Sequence, residues 1–324
     1  MSKIYIKNFG AYVPKKVVTN DMLSKIVDTS DEWISTRTGI KERRISEGEN
    51  TSDLAVKAIN KILKKENLEG KEIDLIITAT LTPDNIMPST ACIIQKKIEA
   101  EKAMAFDINA ACSGFMYALE VAYSMMEMNK KYKNVLVVGS EVLSKIVDWK
   151  DRNTCVLFGD GAGAVLLQRG NEEKLTDFYS YSQGKKGDAL VCGGLDILNP
   201  YVSLKHPLDN HVKMDGREIF KFASRVMIDA IKTLAQNNNI DINDIDFIVP
   251  HQANERIIKY TADKLHISFD KFYLNLDKYG NTSSASIPMA LSEMNDKGLI
   301  KSGMKIVMVG FGGGLTVGSI LIEI

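Results

Sequence analysis

The amino-acid sequence predicts an α/β fold built from two copies of one unit of strands and helices. Short runs rich in Val and Ile, at 73–79 and 134–139, alternate with helical patterns, as is typical of strands buried on both faces. Similar runs recur in the second half of the chain, at 245–250 and 305–310. A glycine-rich strand closes each half.

Matching positions in the two halves keep a constant spacing. They lie 171 or 172 residues apart: Asp74 and Asp246, Cys112 and Ser284, Gly139 and Gly310. We interpret this spacing as an internal duplication, with a first half at 1–170 and a second at 171–324. A long irregular stretch, from about residue 170 to 215, separates the copies, and we expect it to be a functional cover or a linker.

Cys112 is the candidate nucleophile. It lies where an apolar strand, 104–109, runs into the first turns of a helix, so helical N–H groups and the helix dipole should lower its thiol pKa. A lone cysteine is more often a small buried hydrophobe. Two polar motifs downstream, containing His251 and Asn281, favour the nucleophile instead. Because duplicated halves bring equivalent helix starts together, we expect the active site between them.

Composition argues against several classes of protein. The 324 residues are 45% hydrophobic and 25% charged, which suits a globular chain with a large core. Lys and Arg together number 41, as do Asp and Glu, so no net charge attracts the chain to nucleic acid or membrane. No leader or membrane-spanning run is evident, and four widely spaced cysteines favour free thiols. We expect a cytoplasmic protein without a metal site.

Six motifs give the chain a resemblance to a known family. They occur in the family's order at 31–44, 109–115, 157–164, 251–254, 279–283 and 310–314. On these motifs the chain resembles β-ketoacyl-acyl-carrier-protein synthase III, the thiolase-fold condensing enzyme that starts fatty acid synthesis. The resemblance implies a layered αβαβα fold, a homodimer, acyl-CoA and malonyl-acyl-carrier protein as substrates, and no cofactor.

The resemblance also assigns the chemistry. Cys112 would carry the acyl group, and its backbone N–H would form an oxyanion hole with that of Gly313, where glycine suits a close approach. His251 and Asn281 would donate hydrogen bonds to a thioester carbonyl while malonyl-carrier protein loses carbon dioxide. Because breaking the carbon–carbon bond supplies the electrons, a neutral histidine donor suits this step better than a general base.

Substrate-binding residues follow from the same resemblance. The coenzyme A contacts would be Thr29, Trp33, Arg37, Arg152 and Asn254, with the adenine stacked between Trp33 and Arg37. The acyl pocket would comprise Met87, Phe158 and Leu315. Met87 would reach across a dimer interface, and its flexible side chain leaves acetyl, branched and longer primers all open.

A local basic patch is expected to bind the acidic carrier protein. The family's patch maps onto Lys221, Arg256 and Lys264, with Lys259 nearby. Asp263 replaces a second lysine that the family often has, which weakens the patch.

Three alternative functions have to be weighed. A papain-like protease also has Cys, His and Asn in chain order, but the glycine-rich strands and duplicated halves fit that fold poorly. An acyltransferase or specialised-metabolite synthase of the same fold could acylate another acceptor from the same site. A non-catalytic partner subunit is disfavoured because Cys112, His251 and Asn281 are all present.

Overall fold

The computed structural model describes residues 3–170, 175–203 and 207–324. Its strands are β1 Lys3–Tyr12, β2 Lys16–Thr19, β3 Glu42–Ile45, β4 Leu75–Ala79, β5 Met104–Ile108, β6 Asn134–Glu141, β7 Gly161–Gly170, β8 Leu175–Ser182, β9 Leu190–Val191, β10 Lys213–Met214, β11 Phe247–Pro250, β12 Lys305–Gly312 and β13 Thr316–Glu323. Its helices are α1 Asn20–Leu23, α2 Asp31–Thr38, α3 Thr51–Glu66, α4 Thr90–Lys97, α5 Gly114–Met128, α6 Gly216–Asn237, α7 Glu255–Leu265, α8 Leu276–Tyr279 and α9 Ser286–Asp296.

Two sheets of matching topology form the scaffold. The first has the order β1-β7-β6-β4-β5, and the second has the order β8-β13-β12-β11. In both sheets one inner pair is parallel, β4 with β6 and β11 with β12, while the other shared pairs are antiparallel. Among the described residues the second sheet has no full counterpart of β5, and a single bridge between Ile248 and Phe272 occurs there.

The duplication extends to the details of the chain path. A 3₁₀ turn at Ala111–Ser113 leads into α5, and a 3₁₀ turn at Ser283–Ala285 leads into α9. Each turn has one residue with positive φ, Ala111 at 47° and Ser283 at 49°. These positions are 172 residues apart, which confirms the predicted duplication.

Five layers follow from this arrangement. Helices α5 and α9 lie between the sheets, α3 and α4 cover the outer face of the first sheet, and α6 and α7 pack on that of the second. The central core joins the halves through Phe115 and Leu119 of α5 and Ile287 and Leu291 of α9, all buried. The predicted αβαβα thiolase-like architecture is therefore confirmed.

Close backbone packing connects the two halves at the centre. A Cβ atom on Gly139 of β6 would lie 2.2 Å from the carbonyl oxygen of Ser284, a distance that real side chains do not tolerate. Glycine at this position lets the second half's turn rest directly on the first half's sheet.

The stretch from 170 to 215 is less irregular than predicted. Its β8 pairs with β13 and gives the second sheet the strand that β1 gives the first, while β9 and β10 form a two-stranded ribbon. The expectation of one long cover or linker was therefore wrong for 175–182, because that segment completes the second sheet. Residues 171–174 and 204–206 lie outside the described residues. The division of the chain at residue 170 stays a prediction.

No helix within the described ranges is both long and apolar enough to cross a lipid bilayer.

Candidate active site

Cys112 lies at the junction of β5 and α5, as the sequence predicts. The turn places its side chain at the centre of the molecule, 7% exposed. A Cβ atom on Gly312 of β12 would lie 2.7 Å from the Cys112 backbone nitrogen, so only glycine permits this approach. At Gly313 the nearest atom would be 3.4 Å away, an ordinary contact. The steric requirement for glycine that we assigned to Gly313 therefore belongs to Gly312.

The expected fall in the Cys112 pKa was wrong. Burial raises the pKa of this thiol to about 12, the charge of Glu141 adds to the rise, and only Ser283 and the backbone N–H oppose it. Desolvation outweighs the helix dipole because the sulfur is buried between the two halves rather than at an exposed helix end. The resting thiol is therefore protonated near neutral pH.

His251 follows β11 and is fixed on two sides. Its backbone N–H donates to the carbonyl of Val309 at 2.8 Å, and its Nδ1 atom lies 2.7 Å from the hydroxyl oxygen of Ser286. The ring packs edge-on against Phe311, with centroids 5.2 Å apart. Burial lowers the imidazole pKa to about 3, so the ring is neutral near pH 7.

Asn281 is held by backbone pairing with the first half. Its N–H donates to the carbonyl of Leu157 at 2.8 Å, and its own carbonyl accepts from the N–H of Gly159 at 3.0 Å. The side-chain oxygen accepts from the N–H of Ser283 at 2.8 Å. With Oδ1 engaged, the amide Nδ2 remains as the donor for a ligand.

One cavity of about 1100 Å³ brings these residues together. Cys112 and Phe158 come from the first half, and His251, Asn281 and Gly313 come from the second. The cavity thus combines a thiol, a neutral imidazole, an amide and backbone N–H groups. Such a set can hold an acyl group on sulfur and stabilise an oxyanion. The described residues include no group of three His, Cys, Asp or Glu side chains suited to a metal ion.

The cavity mouth contains three of the five predicted coenzyme A residues: Trp33, Arg37 and Asn254. The Trp33 ring has two guanidinium groups near it, Arg37 at 4.7 Å and Arg152 at 5.2 Å from its centroid. Arg152 also donates to Asp28. Thr29 does not line the cavity, and its hydroxyl is buried.

Asn254 is held by bonds within the protein. Its side-chain oxygen accepts from the N–H of Arg256 at 2.9 Å, and its amide donates to the carbonyl of Arg37 at 2.9 Å. The first bond caps the N-terminus of α7. Asn254 therefore links α7 to α2 beside the cavity.

The structure separates the three predicted pocket residues. Phe158 lines the cavity, whereas Leu315 is fully buried in the core behind it. Met87 is 86% exposed and does not line the cavity of the single chain.

The four predicted carrier-protein residues lie exposed on α6 and α7. Lys259 is paired with Glu255 at 2.8 Å, which reduces the charge that it can offer. Arg256 lines a second hollow beside the cavity mouth, together with Arg37, Lys213 and Arg217.

Sequence reasoning missed Arg217. The available signal was its helical spacing, since Arg217 lies one turn before Lys221 and two turns before Arg225 on the exposed face of α6.

Glu141 was also missed. This fully buried carboxylate accepts hydrogen bonds from Thr80, Leu81 and Thr82 of the first half and from the hydroxyl of Ser284 at 2.7 Å. Burial raises its pKa. The predicted strand 134–139 stopped two residues before Glu141, and nothing in the sequence revealed its contact with the second half.

Comparisons with known proteins decide the family. Models of the 3-oxoacyl-[acyl-carrier-protein (ACP)] synthase III domain and of its C-terminal domain match residues 106–187 and 235–324. A β-ketoacyl-[acyl-carrier-protein] synthase III from Clostridium novyi is 56% identical, covering 100% of this chain and 99% of its own. The chain belongs to the β-ketoacyl-acyl-carrier-protein synthase III family. It is therefore an acyl-transferring condensing enzyme of fatty acid synthesis.

Other synthase III proteins support the assignment. The relative from Clostridium acetobutylicum is 54% identical, covering 100% of this chain and 99% of its own. The crystal structure of the synthase III from Aquifex aeolicus is 45% identical and superposes with a TM-score of 0.91 over 100% of both chains. The synthase III from Thermus thermophilus is 42% identical, with a TM-score of 0.92 over 98% of each chain.

Proposed function

We propose that this synthase III joins an acyl-CoA primer, carried on Cys112, to malonyl-acyl-carrier protein and releases 3-ketoacyl-carrier protein, coenzyme A and carbon dioxide. The meeting of Cys112, His251 and Asn281 in one cavity is the observation that carries this proposal. Neither half of the chain holds all three groups, so the complete site requires both copies of the repeat.

The first step transfers the acyl group to sulfur. Cys112 attacks the thioester carbonyl of acyl-CoA, and its proton finishes on the departing coenzyme A sulfur, so one thioester replaces another. The backbone N–H groups of Cys112 and Gly313 stabilise the oxyanion. Because the resting thiol has a pKa of about 12, the proton leaves sulfur as the attack proceeds and not beforehand.

The second step uses the polar donors of the second half. A Ser286 hydroxyl that donates to Nδ1 of His251 leaves the proton on Nε2, which can then donate into the cavity. Together with the amide of Asn281, it stabilises the enolate formed when malonyl-carrier protein loses carbon dioxide. The enolate carbon attacks the acyl-Cys112 carbonyl, the carbon–sulfur bond breaks, and the released thiolate takes a proton from solvent to restore the thiol. No cofactor is needed, because the broken carbon–carbon bond supplies the electron pair.

The Trp33 ring and its two neighbouring guanidinium groups at the cavity mouth are suited to binding coenzyme A. The adenine would lie on the Trp33 ring, with Arg37 and Arg152 supplying guanidinium groups for stacking and for phosphate. Thr29, which lies just before α2, and Asn254, the N-cap of α7, would support this end of the site.

The exposed basic side chains of α6 and α7 are suited to docking of the acidic carrier protein. Lys221, Arg256 and Lys264 would meet its acidic surface, and Lys259 would contribute less because of its pair with Glu255. Arg217 extends the charge to the cavity mouth and compensates for Asp263, whereas Lys213 contributes less because it is paired with Asp209 at 2.8 Å.

A homodimer in the cytoplasm is the proposed state of the enzyme. Ile86 and Met87 are 74% and 86% exposed, and large apolar side chains in such adjacent positions suit an interface with a second copy. In that dimer Met87 would complete the partner's acyl pocket beside Phe158 and Leu315.

Intact-protein mass spectrometry tests the proposal. After exposure to acetyl-, isobutyryl-, isovaleryl- and hexanoyl-CoA, the protein should gain the acyl mass on Cys112, and Cys112→Ser should gain none. Addition of malonyl-carrier protein should then release carbon dioxide and a 3-ketoacyl product. Acyl transfer to another acceptor without carbon dioxide would instead identify an acyltransferase of the same fold.

A further inference from the structure

Ser283 lines the cavity and carries a buried hydroxyl that has no assigned task. The side chain is 1% exposed and lines the same cavity as Cys112. Its oxygen makes no hydrogen bond to any group in the described part of the chain. An unpaired buried hydroxyl costs stability, so a partner that arises only during the reaction would account for it.

The backbone explains why this hydroxyl lies at the centre. Ser283 has φ of 49°, the same conformation as Ala111 in the matching turn of the first half. Ala111 directly precedes Cys112, and the two turns are packed against each other. The strained conformation therefore turns the Ser283 side chain toward the junction that carries the thiol.

We infer that Ser283 is a positioning residue for Cys112. The Ser283 hydroxyl donates a hydrogen bond to the Cys112 sulfur as negative charge develops on that sulfur. The inference rests on the proposed role of Cys112 as acyl acceptor. In the resting structure the hydroxyl does not reach hydrogen-bonding geometry with any described group, yet it is near enough to the sulfur to lower the pKa of a thiol that burial and Glu141 raise. No proton is transferred, since the serine keeps its hydrogen and the departing coenzyme A takes that of the thiol.

The same bond would assist the second half of the reaction. When the condensation product leaves, Cys112 departs as a thiolate, and a donor beside the sulfur makes it a better leaving group. Asn281 accepts from the Ser283 backbone N–H at 2.8 Å, so one turn presents one donor to sulfur and another to the enolate.

Alkylation of Cys112 by iodoacetamide, followed from pH 6 to 10, tests the inference without any condensation. Because this range lies below the thiol pKa of about 12, Ser283→Ala should slow alkylation by about tenfold at every pH, which shifts the rate profile by about one pH unit, the loss expected for one hydrogen bond to a charged acceptor. The variant should fold, because Ala111 adopts the same φ. Ser283→Gly, in which glycine adopts the positive φ without strain, should show the same shift.

Thr282→Val is the matched control. The Thr282 hydroxyl is also buried and without a partner among the described residues, in the same turn, but it does not line the cavity. Its removal should leave the pH profile unchanged. A wild-type profile in both Ser283 variants, or an equal shift in Thr282→Val, would overturn the inference. Failure of the native protein to form an acyl-enzyme would instead count against the proposed function.

Discussion

The two halves share one kind of turn, with a positive φ at its first residue, and differ in the functional groups that the turn presents. In the first half the turn with positive φ at Ala111 presents a thiol, and in the second half the turn with positive φ at Ser283 presents hydroxyl and amide donors. The first half also has the edge strand β5, while the described part of the second half has one bridge in its place. Duplication thus allowed one copy to hold the covalent intermediate and the other to stabilise charge.

This division predicts separable effects in the two half-reactions. Asn281→Ala should slow carbon dioxide release by roughly 10²- to 10³-fold, because one donor to the enolate is lost. The acyl-enzyme should form at nearly the native rate, as measured by quenched mass spectrometry. Equal losses in both steps would mean that Asn281 serves the fold and that the division between the halves is wrong.

Gly312 tests the contact between the halves directly. Gly312→Ala should slow acylation by roughly 10²-fold, because the new Cβ would displace the Cys112 backbone N–H from the oxyanion. Gly313→Ala is the paired control, since its Cβ has room at 3.4 Å. Stopped-flow release of coenzyme A from acetyl-CoA measures both, and similar rates in the two variants would contradict the structural distinction.

Arg217 should affect only the encounter with the carrier protein. Arg217→Ala should raise KM for malonyl-carrier protein by about threefold to tenfold, as expected for loss of one interfacial charge. The acylation rate with acyl-CoA should stay unchanged. Arg225→Ala, on the same helix face but outside the second hollow, serves as the comparison. An equal loss in the reaction with acyl-CoA would indicate that Arg217 binds a coenzyme A phosphate instead.

The smallest effect should come from pH. With a pKa of about 3, His251 stays neutral from pH 5.5 to 8, so the reaction of preformed acyl-enzyme should be flat over that range. Protonation would lower the rate only at much lower pH. A rate that rises through a pKa near 6.5 would make His251 a general base and end its role as a neutral donor.

Much of this organisation could be predicted from the sequence. The spacing of 172 residues predicted the duplicated turns, because repeated strands and glycines leave a visible period. The Cys112 pKa could not be predicted, because desolvation depends on the second half packing over the thiol. Ser283 and Glu141 were missed for the same reason, since each acquires its neighbours only after folding. Arg217 could have been found, because its helical spacing with Lys221 is visible in the sequence. The strand β8 was missed because the second copy's first strand begins within a glycine-containing, irregular stretch.

The packing of Gly139 on the Ser284 carbonyl has a consequence for access to the site. With no side chain between the halves and the Asn281 backbone hydrogen-bonded to the segment 157–159, the halves cannot part by a hinge without breaking both contacts. We therefore expect the long pantetheine arm to enter lengthwise, through a channel whose width stays constant. Differences in substrate preference between variants should therefore arise from the walls and rim of this channel, and not from how far the protein opens.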